Sequence, residues 1–240
     1  PFVSKEKKGA QNEAYIQKPD VEFFREIQEK SGNLIKQIVI APEEDENYEF
    51  IKEISKETVV SIGHTMADYE MAHKAFENGA THVTHLFNGM KEFGHRQPNV
   101  VGAALDREDV YVELICDGVH VHPAMVRASF WLFGANRVCM ISDSIRAAGM
   151  EDGTYTLGGQ LVNVKENIAT LEDGTIAGSV ANLYECFKMV VEKMNIPLKN
   201  AILSCTKTPA KSLGIDNKCG ILTEGRNADL LILDKHLNLV

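Results

Sequence analysis

Five apolar runs of strand length, rich in β-branched residues, alternate along this chain with amphipathic helical patterns. This serial alternation is the feature that most limits the possible folds, because it implies parallel strands joined by helical crossovers. The runs are Leu34 to Ile40, "TVVSIGHT", "THVTHLF", "VYVELICDGVHV" and "RVCMISDS". Helical patterns follow them. "ENYEFIKEISKE" places Tyr48, Ile51, Ile54 and Ser55 on one face. "MADYEMAHKAFENG" is expected to start at a Thr65 cap and stop at Gly79, and a third helix spans Pro123 to Phe133. The runs are apolar on both faces, as parallel strands covered by helices must be.

The pattern then changes. Gly153 to Gly178 alternates in short pieces with glycine turns, as in a β excursion. Helices are expected over Val180 to Met194 and Leu198 to Gly214, and a turn-rich β segment closes the chain. A doubly wound sheet is possible, but a (β/α)8 TIM-type barrel fits the series better, with about five of its eight strands present. The expected division is a partial barrel over residues 1–215 and, over 216–240, the C-terminal β segment of a small β-sandwich. Functional side chains of such barrels sit at the C-terminal ends of strands.

Two of the runs stop on histidines, His64 and His85. Glu43, His120 with Asp117, and Asp143 stand at the other strand ends. Imidazoles and carboxylates converging on one mouth are a donor set for a divalent metal, and a carboxylate opposite an open ligand position can carry protons. Glu43 suits either a metal ligand or a group that orients one. His82 lies three residues before His85, on the other side of a strand, and reads as structural. His73 and His236 read as surface residues. Lys7, Lys8, His95 and Arg96 fall in loops, where Arg96 is suited to clamp an anion. "TIAGS" is a turn whose N–H groups could hold ligand oxygens.

Composition excludes several classes. A net charge of −9 argues against non-specific nucleic-acid binding. No apolar run approaches the length of a membrane span, and no signal peptide is visible. The five cysteines are scattered without a CxxC pair and read as reduced core thiols of a cytoplasmic protein.

Together "VVSIGHT", "THVTHLFNGM", "GHRQPNVVGAALD", "ICDGVHVHP", "ISDSIRAAGM", "GTIAGS" and "TKTPAKSLGI…GILTEGRNADLLILD" resemble the N-acetylglucosamine-6-phosphate deacetylase family of the amidohydrolase superfamily, in order over essentially the whole chain. The resemblance implies a hydrolase that removes acetate from N-acetylglucosamine 6-phosphate in amino sugar catabolism. It implies one or two divalent ions per intact subunit (zinc, iron, manganese or cobalt), with His64 and His85 as ligands. Asp143 would be the general base and then the acid, and His120 would contact the sugar phosphate. Asn88, Gly89, Ala10, Gln11 and Ile176, Ala177 and Gly178 would line the substrate pocket. Arg96 would reach the phosphate in a neighbouring subunit's site, which implies a homodimer.

Gln11 stands where many relatives have histidine. The family's glutamate ligand, in "EGPF", would stand two residues before Pro1, and three further strands would precede it. The chain is therefore expected to be a fragment that folds poorly and binds metal weakly alone. Two other readings stand beside this one: a sister amidohydrolase acting on another N-acyl or cyclic amide substrate, and a non-catalytic sugar-phosphate binder without a complete metal site.

Overall fold

A computed structural model describes residues 1–240. The first five strands are β1 (Gln37–Ile40), β2 (Val59–Ile62), β3 (His82–Val83), β4 (Tyr111–Ile115) and β5 (Val138–Ile141). They form one parallel sheet in the order β1-β2-β3-β4-β5. A doubly wound sheet requires the order to reverse. Here it does not, and the sheet is a series of staves of a (β/α)8-type barrel.

Its curvature is visible in one hydrogen bond. Gln37 Nε2 on β1 donates to Glu113 Oε1 on β4 at 2.6 Å, although β2 and β3 lie between them. In a flat sheet three strand spacings would hold those backbones about 14 Å apart. The bond closes because the sheet is rolled. Alternate residues on the outer face, among them Ile40, Ile62, Val83, Val112, Leu114 and Met140, are buried in a core of 36 residues shared with the helices. Those on the inner face are more polar: Gln37, Ser61, His82, Tyr111 and Glu113.

The helices are α1 (Val21–Lys30), α2 (Glu49–Ile54), α3 (Tyr69–Glu77), α4 (Asn99–Leu105), α5 (Pro123–Phe133), α6 (Leu183–Glu192), α7 (Leu198–Cys205) and α8 (Lys207–Ser212). α5 has the expected bounds, with proline in its first turn and Gly134 in the left-handed region beyond its end. The cap of α3 is Asp68, not Thr65; the Asp68 carboxylate accepts from the Met71 N–H. Thr65 is turned instead to Glu43. The helix expected from Leu198 to Gly214 breaks at Thr206 (φ −130°, ψ −84°) into α7 and α8. Pro209 supplies the reason, since it lacks an N–H and its ring opposes the carbonyl four residues back. α6 starts at Leu183, later than expected, where Asn182 and Glu185 form a capping box. α1 and α4 are additional to the expected elements.

The β excursion is a three-stranded antiparallel sheet of β6 (Gly153–Leu157), β7 (Gln160–Lys165) and β8 (Ile168–Thr170). Residues 216–240 contain no strand, only a bridge between Leu233 and Leu239. No helix is long and apolar enough to cross a membrane.

His82 is structural. Its ring is buried and stacks on Tyr111 at 5.3 Å between centroids. Nδ1 pairs with Thr81 Oγ1, while Nε2 is the one buried side-chain nitrogen or oxygen without a partner. Burial lowers its pKa from 6.5 to about 4. The unfolded chain therefore binds a proton that the folded chain refuses between those two values. Stability is complete above pH 6.5 and declines as pH falls toward 4. For His82 alone the loss is about 2 kcal/mol between pH 6.5 and 5. Urea melts of the full-length gene product at the two pH values should show it, and His82→Phe, which keeps an aromatic stack, should flatten the dependence.

Candidate metal and substrate site

The three residues expected to carry the chemistry share a rare backbone conformation. His64, His85 and Asp143 have φ of 48°, 32° and 53°. A non-glycine residue in this region costs of order 1 kcal/mol or more and persists only where its surroundings enforce it. Each is the point at which the chain leaves a strand and turns over the mouth of the sheet.

At the end of β2, the Gly63 N–H still bonds to the Ile40 carbonyl. A Cβ at Gly63 would lie 2.8 Å from Thr84 Cβ and 3.0 Å from Val39 Cγ1, so only glycine lets the flanking strands close here. His64 then turns out of the ladder. Its carbonyl accepts from Ser4 N–H, and Thr65 N–H bonds to the Gly89 carbonyl. Glu43 braces the same loop by accepting from the Thr65 hydroxyl and the Met66 N–H. These bonds hold the loop that follows His64. β3 is shorter than "THVTHLF" suggests because His85 and then Phe87 (φ 76°) take the chain out of extended geometry.

The two imidazoles meet. His64 Nε2 and His85 Nε2 are 2.9 Å apart, with ring planes at 83°. His64 Nδ1 faces the Lys7 carbonyl at 2.8 Å, and His85 Nδ1 faces the Asn88 carbonyl at 3.1 Å. A carbonyl oxygen can only accept, so each Nδ1 carries the proton and each neutral ring presents an Nε2 lone pair. Burial pulls the pKa of His64 down, against the raising field of Asp143. Burial, and then His64, hold His85 at about 4. Two neutral rings thus point lone pairs at each other across 2.9 Å. That is unfavourable for the rings alone and favourable around a cation, and this donor set fits a borderline divalent metal. No third histidine, cysteine or carboxylate joins them closely enough to make a three-ligand centre. Asp143 is exposed and acts on both rings through its charge.

The other expected residues fall in three groups. Asn88 and Gly89 lie against the imidazoles. A Cβ at Gly89 would stand 3.3 Å from His64 Nδ1 and 3.4 Å from His85 Cε1. Ala10, Gln11 and Ile176–Gly178 are carried by the β6–β8 sheet. Gln160 Nε2 donates to the Ala10 carbonyl at 2.8 Å, Asn12 Nδ2 donates to the Gly158 carbonyl at 3.0 Å, and Ala177 N–H bonds to the Ala169 carbonyl at 2.9 Å. Ala10 packs on the small apolar cluster that contains Ala177. Gly178 (φ 66°) lies where a Cβ would come within 3.0 Å of the Asp143 carbonyl oxygen. His120 is tied to the Asp143 strand end through Asp117 and Ser179. Arg96 sits exposed in the loop between β3 and α4 and forms no side-chain hydrogen bond or ion pair.

Glu113 has no counterpart among the sequence expectations. Burial raises its pKa to about 7, against its bond from Gln37, and the Asp143 charge adds to the rise. In the sequence it is one acidic residue within an apolar run, and only the pairing of β4 with β5 brings it toward Asp143.

Known proteins share the sequence pattern and the fold of this chain. The sequence model of the amidohydrolase family matches residues 1–239. N-acetylglucosamine-6-phosphate deacetylase of Bacillus subtilis is 39% identical over the whole chain, and that of Lysinibacillus sphaericus 41%. The chain spans 61% and 62% of the lengths of these curated relatives. A mutant N-acetyl-D-glucosamine-6-phosphate deacetylase of Mycobacterium smegmatis, solved in complex with N-acetyl-D-glucosamine-6-phosphate, superposes with a TM-score of 0.94 at 33% identity. That superposition covers 100% of this chain and 64% of the solved one.

Proposed function

This chain belongs to the amidohydrolase family, and from that premise we propose that the protein hydrolyses the acetamide of N-acetylglucosamine 6-phosphate, releasing acetate and glucosamine 6-phosphate. The observation that carries the reading is the pair of Nε2 lone pairs aimed at one point by two fixed tautomers. The names of the similar enzymes supply the substrate. Residues 1–215 would belong to the catalytic barrel, and 216–240 to an outer β segment.

His64 and His85 would hold a divalent ion: zinc, iron, manganese or cobalt. When bound, it would polarise the acetamide carbonyl and acidify the attacking water. Asp143 takes the proton from that water as its oxygen bonds to the acetyl carbon. It then delivers the proton to the sugar nitrogen as the C–N bond breaks, so the amine leaves neutral. Asn88 and Gly89, beside the imidazoles, would bound the acetamide. Ala10, Gln11 and Ile176–Gly178 would face the sugar, and His120 its phosphate. Arg96, exposed and without a side-chain partner in its own chain, would serve the phosphate in a partner's site, so that the active species is a homodimer.

Turnover of phosphorylated and unphosphorylated N-acetylglucosamine by the full-length gene product tests the reading. The phosphorylated sugar should give a kcat/KM at least about a hundredfold higher. Arg96→Ala should erode that preference by about tenfold or more by raising KM, since it removes a charge-assisted bond. Equal turnover of the two sugars would overturn the substrate assignment.

A further inference from the structure

His120 is not a free histidine at a loop tip. Its side chain and that of Asp117 are only 7% and 4% exposed, and they form a chain of hydrogen bonds that ends at Asp143. Asp117 accepts four bonds, and its two oxygens divide them. Oδ1 takes the main-chain N–H of Val119 at 2.9 Å and of His120 at 3.0 Å, which builds the turn after β4. Oδ2 takes His120 Nδ1–H at 2.7 Å and the Ser179 hydroxyl at 2.9 Å. The turn needs only the first oxygen. The second addresses a ring and a hydroxyl from a segment 62 residues away, a bond that matters if the ring must hold one orientation.

Ser179 extends the chain of contacts. It is buried, its N–H donates to the Asp143 carbonyl, and its own carbonyl accepts from Ile145 N–H, both at 2.9 Å. Its hydroxyl and its main chain therefore join the strand end of Asp143 to the loop of His120.

We propose that Asp117 and Ser179 are positioning residues for sugar-phosphate recognition: the Oδ2 of Asp117, anchored by the Ser179 hydroxyl, fixes the Nδ1 proton and the ring plane of His120, so that Nε2 alone faces the ligand. The inference rests on the deacetylase reading for the identity of that ligand. The fixed ring serves the phosphate of the sugar. With Nδ1–H held by the ionised Asp117, the ring takes a second proton from solvent when the phosphate binds, and the resulting Nε2–H of an imidazolium balanced by Asp117 donates to a phosphate oxygen; without that carboxylate the cation is not supported. Asp117 is ionised for this task. Burial opposes its ionisation, but the bonds from the His120 ring and from the His120 and Val119 N–H groups outweigh burial and hold its carboxyl well below the usual carboxylate range.

Asp117→Asn separates the two roles. Its carbonyl oxygen in the place of Oδ1 preserves the turn. Its amide in the place of Oδ2 can only donate, so the His120 proton must move to Nε2. The experiment is ring nitrogen NMR of ¹⁵N-histidine-labelled full-length protein at about pH 8, where an ordinary imidazole is neutral, together with steady-state kinetics on N-acetylglucosamine 6-phosphate. His120 should be protonated on Nδ1 in the parent and on Nε2 in Asp117→Asn. KM should rise about tenfold in the variant while kcat falls less than threefold. Ser179→Ala removes one bond and leaves the main-chain links, so it should keep the parent tautomer and raise KM by about threefold.

A parent His120 protonated on Nε2, or the same tautomer in parent and Asp117→Asn, overturns the proposal. So does a variant whose kcat falls with KM unmoved. If Asp117→Asn does not fold, the parent spectrum and the Ser179→Ala kinetics decide. If no form turns over the phosphorylated sugar, the deacetylase reading fails, while the tautomers still judge the positioning role.

Discussion

Asp143→Asn should lower kcat by about a thousandfold and change the affinity for N-acetylglucosamine 6-phosphate by less than threefold. The substitution is close to a pure removal of proton-carrying capacity. Asparagine tolerates the left-handed region at least as well as aspartate, so the φ of 53° survives. The main-chain bond from Ser179 N–H to the residue 143 carbonyl does not involve the side chain. The His64 and His85 tautomers are set by Lys7 and Asn88 carbonyls and are untouched. What disappears is a carboxylate able to take a proton from water and return it to the sugar nitrogen. Stopped-flow turnover with calorimetric titration of the sugar phosphate checks both halves. Near-full activity in the variant would show that another group moves the proton, and Glu113 would be the next to examine.

The second large effect concerns the imidazole pair. His85→Asn should lower retained divalent metal from about one equivalent to below about a tenth after dialysis, and turnover by at least about a thousandfold. Asparagine again suits the backbone, here at φ 32°. It cannot place a nitrogen lone pair where Nε2 stands, 2.9 Å from that of His64. One imidazole alone is a weak site for a divalent ion. Hence the double variant with His64→Asn should cost little more than either single change, because both rings act as one unit. Elemental analysis of the dialysed proteins, with thermal melts to show that each is folded, makes the measurement. Full metal retention by His85→Asn would place the ion elsewhere.

Much of this was legible in the residue order, and the reasons are local. The β-branched runs around Val59–Ile62 and Val138–Ile141 are strands because their side chains suit a surface buried on both faces. α5 was bounded by proline at its start and glycine beyond its end. His64, His85 and Asp143 stood out because a polar residue closing an apolar run needs a reason. The misses are of two kinds. α1 does carry a helical pattern, an apolar face behind an Asp20 cap, and was simply not read from it, whereas the short, glycine-containing α4 is buried on nearly every side and has no polar face to mark it. β3 ends early because left-handed residues at 85 and 87 interrupt it, and period-two alternation does not reveal such turns.

The other misses are long-range. Asp117 finds Ser179 across 62 residues, and Ala10 finds Gln160 across 150. The bonds of Glu43 to Thr65 and Met66 depend on where the loop after β2 passes. No spacing rule relates such partners; only the tertiary fold makes them neighbours. Family resemblance could therefore suggest which residues touch the substrate. The residues that hold them in place emerged from the geometry.

X-ray absorption at the edge of the bound metal, on full-length protein and on His85→Asn, tests the central claim most directly. The account predicts a signal from two imidazoles in the parent and the loss of metal, or of one imidazole, in the variant. A spectrum without histidine scattering, or one that His85→Asn leaves unchanged, would contradict it.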